Sequence, residues 1–180
     1  MKTILLGVSG SAACFKAVGL ASRLAQEGFS VQVVLTAAAA RLVTPLQFSA
    51  ATGTAALSDE WRPVSPDAMD HIALARRADL LLVAPATAGR IGLLAQGLAP
   101  DLLGSLSLAW EASKPRFFAP AMNPAMWAQP AVARNARRLE EDGWTRIGPV
   151  SGPTACGESG LGRMAEPEAI RAALGPALGH

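Results

Sequence analysis

The sequence contains few of the residues that build covalent frameworks or metal clusters. Its 180 residues include two cysteines, Cys14 and Cys156, and two histidines, His71 and His180. The two cysteines fall in different contexts, a predicted helix and a glycine-rich loop, so they do not form a disulfide framework, and we expect a cytoplasmic protein. So few thiol and imidazole ligands also make a Cys/His metal cluster impossible, and we expect no metal site.

Charge is also scarce. Charged residues make up 17% of the chain, against about 25% in an average globular protein. The basic residues are scattered and do not form the basic stripe of a nucleic-acid-binding surface, so we expect no nucleic-acid partner. A surface short of charge indicates instead that other subunits cover part of it.

Long apolar runs are missing. The run Ile4 to Leu6 ends at Gly7, whereas an export signal needs roughly 7–15 apolar residues, so the downstream Cys14 is not read as a lipidation site. No run approaches the roughly 20 residues of a membrane span. We expect neither a targeting segment nor membrane attachment.

What the chain does contain is an alternation of strand and helix patterns. Strands are predicted at 3–8, 31–35, 80–84, 116–119 and 144–147. The first helix is predicted to follow the turn at 7–11, run through Gln26 and stop at Gly28, and further helices are predicted at 37–42, 45–52, from about 88, 101–110, 130–142 and 167–174. The absence of repeats and linkers predicts a single α/β domain over residues 1–180. Its expected architecture is a Rossmann-like (flavodoxin-like) three-layer sandwich with a mostly parallel sheet.

Small and polar residues follow several of the predicted strands, at 7–11, Thr36, 85–87 and 120–123. Because ligands of such sheets bind beyond the carboxyl ends of the strands, we expect these segments to form one site. Residues 7–11 combine glycines and serines at the start of a helix, which is typical of a phosphate cradle. The second strand ends at Thr36 without the acidic residue of a dinucleotide site, which favours FMN over NAD.

Three further positions carry reactive or binding groups. Asn123, fixed between prolines, offers an amide for a substrate carboxylate or amide. His71 is the default proton carrier, although a lone histidine is more often structural. Cys156 lies in a glycine-spaced segment, 155–164, which we expect to be a mobile loop that closes over a small ligand. The lysines, Lys2, Lys16 and Lys114, lie outside these motifs, which disfavours pyridoxal phosphate.

Taken in order, the motifs resemble those of the flavin-containing cysteine decarboxylases, most closely the phosphopantothenoylcysteine decarboxylases of coenzyme A biosynthesis. The motifs are GVSGS at 7–11, VTPL at 43–46, HI at 71–72, APATA at 84–88, PAMN at 120–123 with MW at 126–127, and ACGE at 155–158 with GRM at 162–164. The resemblance covers nearly the whole chain. PAMN together with ACGE is its most specific part.

The resemblance implies a cofactor, an assembly and a set of site residues. FMN would be held at subunit contacts of a homotrimer or an assembly of trimers, by Gly10, Ser11, Ala12, Thr36, Thr87, Ala88, Gly89, Arg90 and Ala121. Asn123 would bind the substrate carboxylate, with Met122, Ala155 and Gly157 beside the substrate. His71 would be the catalytic base, and Cys156, on a flexible lid over about 151–166, the proton donor. The implied reaction converts 4'-phosphopantothenoylcysteine to 4'-phosphopantetheine through thioaldehyde and enethiolate intermediates.

The sequence also departs from the family pattern. Gly89, followed by Arg90, stands where the family usually has an asparagine after Ala88, and the usual lysine near Gly92 is missing. The flavin contacts of this segment are therefore left open. A ligase domain is not present, so we expect the cysteine-adding enzyme to be a separate protein. Three other readings stay open: a peptidyl-cysteine decarboxylase, a flavin prenyltransferase relative and a flavin-binding regulatory subunit. The cysteine lid and the intact His71 and Asn123 disfavour them.

Overall fold

The computed structural model describes residues 1–58, 70–153 and 157–179. Its strands are β1 (Thr3–Val8), β2 (Ser30–Leu35), β3 (Leu80–Ala86), β4 (Arg116–Pro120), β5 (Thr145–Arg146), β6 (Val150–Pro153) and β7 (Ser159–Arg163). Its helices are α1 (Cys14–Gln26), α2 (Ala37–Ala40), α3 (Pro45–Thr52), α4 (Asp70–Arg77), α5 (Ala88–Ala95), α6 (Leu102–Leu108), α7 (Pro124–Trp127), α8 (Pro130–Glu141) and α9 (Pro167–Leu178).

Five strands form one parallel sheet in the order β2-β1-β3-β4-β5. After β2, at one edge of the sheet, the chain therefore crosses over β1 and adds β3, β4 and β5 on the other side of β1. Helices cover both faces of the sheet, which makes the three layers. The predicted α/β fold with a parallel sheet is confirmed.

The strand residues divide between two cores, one on each face of the sheet. Ile4, Leu6 and Val8 of β1 pack with α1, α3 and α9. Leu5 of the same strand packs on the opposite face, with α4, α5, α6 and α8. Alternate side chains of a strand point to opposite faces, so a strand with helices on both sides needs the continuous apolar run seen here.

Local signals set the ends of the helices where they are. Thr44 and Gln47 form a capping box at the start of α3, with Pro45 in its first position. The same helix ends at Gly53, whose φ of 70° is in the left-handed region that favours glycine. Such caps satisfy backbone groups that would otherwise lack partners.

The main departure from the predicted elements lies between residues 148 and 166. We expected a loop there, but β6 and β7 form a two-stranded antiparallel hairpin, separate from the main sheet. Val150 pairs with Arg163, and Pro153 with Ser159. Smaller differences are the longer β3 and the extension of α9 to Leu178.

None of the helices in the described part of the chain is both long enough and apolar enough to span a bilayer.

The turn from β1 into α1 needs a residue without a side chain at Gly10. A Cβ built there would lie 2.6 Å from Ala38 Cβ and 3.0 Å from the Ala38 backbone carbon. We predict that Gly10→Ala lowers the free energy of unfolding by about 1–3 kcal/mol, because the turn and α2 must separate. Chemical denaturation measures the effect.

Gly19→Ala is the matched control, since Gly19 lies in α1 with nothing within 4 Å of its Cβ position. Removing a glycine from a helix interior should leave stability unchanged or raise it by roughly 0.5–1 kcal/mol. Equal effects of the two substitutions would contradict the close contact at Gly10.

Candidate active site

The carboxyl ends of β1 and β3 are joined through the buried side chain of Ser9. The Ser9 backbone N–H and its hydroxyl both donate to the Pro85 carbonyl oxygen, at 3.2 and 2.7 Å. The Thr87 N–H donates to Ser9 Oγ at 3.0 Å. Two motifs more than seventy residues apart therefore meet at one edge, as the strand pattern predicted.

The turn at the start of α1 is held together by Cys14. Its thiol donates to the Ser9 carbonyl oxygen at 3.3 Å and accepts from the Ser11 N–H at 3.4 Å. Burial raises the pKa of this thiol above its usual value, so Cys14 is a neutral, structural residue and a poor nucleophile. The Ser11 hydroxyl in turn accepts from the Ala13 N–H at 3.2 Å.

This turn suits a phosphate. The N–H groups of Gly10 and Ala12 donate no hydrogen bond to any described residue, unlike those of Ser11 and Ala13. Free N–H groups at the start of a long helix attract an anion, because they carry the positive end of the helix dipole. The cradle predicted at residues 7–11 is thus compatible with the phosphate of a flavin nucleotide.

The two threonines assigned to the cofactor also cap helices. Thr36 Oγ1 accepts from the Ala39 N–H and Thr87 Oγ1 from the Arg90 N–H, both at 3.2 Å. The Thr36 hydroxyl still has its own hydrogen to donate, while the Thr87 hydroxyl lies 3.4 Å from Ser9 Oγ and keeps a lone pair to accept. Capping and cofactor binding can therefore share the same side chains.

Arg90 and Gly89 differ in their surroundings. Arg90 is 5% exposed, and both of its terminal nitrogens contact the Asp101 carboxylate. Asp101 also caps α6 by accepting from the Gly104 N–H at 2.9 Å. The positive charge of Arg90 is therefore neutralised by the Asp101 carboxylate of the same chain. Gly89, by contrast, has open space at its Cβ position.

The loop after β4 is fixed by backbone bonds on two sides. The Ala121 N–H donates to the Ala86 carbonyl at the end of β3, and the Met122 N–H donates to the Gly162 carbonyl of β7, at 3.0 and 2.9 Å. Asn123 follows, and its Oδ1 accepts from the Ala125 N–H at 2.7 Å. Its Nδ2 therefore faces away from α7.

The glycines of β7 allow the hairpin to dock on this loop. A Cβ at Gly162 would overlap the Met122 carbonyl oxygen and lie 3.2 Å from the Asn123 carbonyl carbon. A Cβ at Gly160 would lie 2.9 Å from Pro124. The spacing of these two glycines therefore serves close backbone packing. The mobility expected for this segment of the chain stays a prediction.

Between α1, the Asn123 loop and the hairpin lies a groove of about 590 Å³. It is lined by Ser11, Ala12, Ala13, Phe15, Lys16, Ala121, Met122, Asn123, Pro153, Gly162, Arg163 and Met164. The volume falls in the range of small-molecule sites. Five residues predicted for the cofactor or substrate, Ser11, Ala12, Ala121, Met122 and Asn123, thus meet in one cavity.

Lys16 and Arg163 also line this groove, and sequence reasoning missed both. Lys16 Nζ donates to Glu166 Oε1 at 3.0 Å, and Arg163 contacts the same oxygen. Lys16 therefore lines the groove, although it lies outside the sequence motifs as predicted. No spacing indicated its place, because Ser11 precedes α1 and an i,i+5 step does not follow one face of a helix.

The remaining predicted residues lie elsewhere or outside the described part of the chain. His71 begins α4, on the sheet face opposite α1, and is half-buried. It does not occur among the described residues that line the groove. Ala88 begins α5, and Gly157 is exposed beside Glu158. Ala155 and Cys156 lie outside the described residues.

The profile of the flavoprotein family matches residues 1–175. The chain belongs to this family. It is 39% identical over 169 residues to a probable phosphopantothenoylcysteine decarboxylase of Streptococcus mutans, covering 94% of both chains. It is 45% identical to the bifunctional coenzyme A biosynthesis protein CoaBC of Bacillus subtilis over 94% of this chain, and spans 41% of that relative's length.

Solved structures agree with this assignment. A cysteine-to-serine mutant of PPC decarboxylase, complexed with pantothenoylaminoethenethiol, superimposes with a TM-score of 0.90 at 34% identity over 99% of both chains. The FMN-dependent cysteine decarboxylase SpaF has a TM-score of 0.84 at 34% identity over 99% of this chain and 98% of its own. The resemblance to flavin-containing cysteine decarboxylases is confirmed, and with it a flavin cofactor.

The docking of the hairpin can be tested at Gly162. We predict that Gly162→Ala accelerates hydrogen exchange of the Met122 amide by at least about tenfold, because the added methyl group forces β7 off the loop and breaks the Met122–Gly162 bond. Exchange measured by NMR checks this, with Gly19→Ala as control. An unchanged Met122 exchange rate would contradict the contact.

The ion pair of Lys16 and Glu166 predicts a pH dependence of stability. The hydrogen bond from Lys16 is the main cause that holds the pKa of Glu166 below its usual value, and the positive charge of Arg163 adds to it. The unfolded chain therefore binds this proton more readily, so the pair stabilises the protein at neutral pH and the contribution is lost as pH falls through the lowered pKa.

Glu166→Gln should thus cost up to about 1 kcal/mol at neutral pH, since the carboxylate is partly exposed, and little at an acidic pH below its lowered pKa. Denaturant unfolding at both pH values measures the difference. Glu168→Gln is the control, because Glu168 and its partner Arg23 are both well exposed and the change should be smaller. A cost for Glu166→Gln that did not depend on pH would contradict this account.

Proposed function

We propose that the chain is an FMN-dependent decarboxylase that converts 4'-phosphopantothenoylcysteine to 4'-phosphopantetheine. The observation that carries the proposal is the groove in which the phosphate cradle of α1 and the amide of Asn123 face a docked hairpin. The similar proteins named phosphopantothenoylcysteine decarboxylase supply the substrate class. The cofactor is proposed as FMN because β2 ends at Thr36 without an acidic residue for a ribose.

Residues on the carboxyl edge of the sheet would hold the cofactor. Gly10, Ser11 and Ala12 would bind its phosphate, with the hydroxyls of Thr36 and Thr87 beside them. Ala88, Gly89 and Ala121 would contribute backbone contacts, and Arg90 would support α5 through Asp101. When bound, FMN supplies a hydride acceptor that allows the cysteine side chain to become a thioaldehyde, the electron sink that decarboxylation of a cysteine otherwise lacks.

The chain's own residues would orient the substrate and move protons. Asn123 Nδ2 would bind the cysteine carboxylate and fix its orientation, with Met122 and Gly157 beside the substrate. His71 would accept the thiol proton, since imidazole is the natural base near neutral pH. Cys156, with Ala155 on the substrate lid, would donate a proton to the enethiolate carbon, and the saturated thiol would form with return of the hydride held by the reduced cofactor.

We further propose that the working enzyme is a homotrimer or an assembly of trimers in the cytoplasm. His71 lies on α4, which packs on the sheet face opposite α1, and it does not line the groove of its own chain. A second copy would bring a histidine to the groove. Phe15 at the groove and Leu46 on α3 are 66% and 76% exposed, which supports an apolar face between copies. The ligase that forms the substrate would be a partner in the same sequence of reactions.

The direct test is mass spectrometry of phosphopantothenoylcysteine incubated with the purified, flavin-loaded protein. We predict loss of CO2 with the wild type and at least about a 10²-fold slower loss with His71→Asn, because the base is removed. Cys156→Ala should lose CO2 but fail to accumulate the saturated thiol. The control is Asn135→Ala, which removes an amide on α8 that accepts a hydrogen bond from Gln96. This variant should match the wild type.

Two outcomes would contradict the proposal. An unchanged substrate with a flavin-loaded protein would move the assignment to a peptide substrate or a regulatory role. Undiminished formation of saturated thiol by Cys156→Ala would remove Cys156 from the mechanism.

A further inference from the structure

Asn123, which lines the groove, has a side-chain amide that contacts a carboxylate of the same chain. Asn123 Nδ2 donates to Glu158 Oε2 at 2.6 Å, while Asn123 Oδ1 accepts from the Ala125 N–H at 2.7 Å. The second bond fixes the orientation of the amide, because of its two ends only the oxygen can accept from a backbone N–H. The N–H end of Asn123 is thereby presented to an anion, and here the anion is Glu158.

Glu158 is brought to this position by the backbone of the hairpin. It directly precedes β7, which is anchored on the Asn123 loop by the Met122–Gly162 bond and by the packing of Gly160 on Pro124. Glu158 is exposed, so burial of the side chain does not account for its place. Its carboxylate contacts the loop at the amide that lines the groove.

The positive groups of the groove do not compete for this carboxylate. Lys16 and Arg163 are both bound to Glu166. An anion that approaches the Asn123 end of the groove therefore meets the Asn123 amide and the negative charge of Glu158. Two carboxylates bound to one amide nitrogen repel each other, so the binding of one weakens the binding of the other.

We propose that Glu158 is a specificity-determining residue that occupies the place of the substrate carboxylate at Asn123 and is displaced by it. The inference rests on the proposed function, in which Asn123 binds the carboxylate that is lost. A ligand with a carboxylate takes over the amide, whereas a decarboxylated product cannot, so Glu158 returns to Asn123 after the reaction. The residue thus lowers the affinity for the substrate carboxylate and restores the empty site.

Calorimetric titration of the flavin-loaded protein with two ligands tests this inference. One ligand is the substrate analogue with serine in place of cysteine, which retains the carboxylate but has no thiol to oxidise. The other is 4'-phosphopantetheine, which has no carboxylate. Glu158→Gln should bind the serine analogue on the order of three- to tenfold more tightly, because a neutral amide competes less well than a charged acceptor, and its affinity for 4'-phosphopantetheine should be unchanged.

Two comparisons separate this effect from a general change in charge. Glu168→Gln removes an exposed carboxylate on α9 that pairs with Arg23 and should leave both affinities unchanged. In an Asn123→Ala background, Glu158→Gln should no longer tighten binding of the serine analogue, because the shared amide is gone. Tightening that persists in this background would overturn the inference.

Other outcomes also decide the question. Weaker or unchanged binding of the serine analogue by Glu158→Gln would overturn the inference, as would equal tightening of both ligands. If the wild type releases CO2 from the substrate and Glu158→Gln does not tighten binding, the inference alone fails. If the wild type binds neither ligand, the proposed function fails and the inference fails with it.

Discussion

The buried hydroxyl of Ser9 joins the ends of two neighbouring strands, and the rest of the site depends on this junction. Ser9 donates to the Pro85 carbonyl and accepts from the Thr87 N–H, so the turns after β1 and β3 are held side by side. Helices α1 and α5 begin just after these two turns, at the same edge of the sheet. A parallel sheet whose strand order reverses at this point places its ligand site here.

The second constraint is the approach of β7 to the loop after β4. Backbone contacts at Gly160 and Gly162 leave no room for side chains, so the hairpin docks in one register and brings Glu158 to Asn123. The hairpin thus forms one wall of the groove and supplies a polar group at its end. Lys16 and Glu166 attach the base of the same hairpin to α1.

Much of this arrangement was predictable from the sequence. Apolar runs predicted the strands, and small polar residues after them predicted the edge where Ser11, Ala121 and Asn123 meet. The hairpin was not predictable by the same reasoning, because Gly160 and Gly162 have the same signature in a mobile loop as in a closely packed strand. Lys16 was missed since its place depends on a tertiary contact with Glu166, 150 residues away along the chain. Arg163 was missed since it reaches the groove only through the docking of β7 on the Asn123 loop. The location of His71 relative to the groove likewise depends on packing between elements.

The central claim is that the groove beside α1 receives the substrate with its carboxylate on Asn123. The most direct measurement is a crystal structure of the flavin-loaded protein with the serine analogue of phosphopantothenoylcysteine. The account predicts the analogue in the groove beneath the hairpin, with its carboxylate within hydrogen-bond distance of Asn123 Nδ2 and Glu158 turned away. An analogue bound elsewhere, or bound in the groove while Asn123 remains bonded to Glu158, would contradict it.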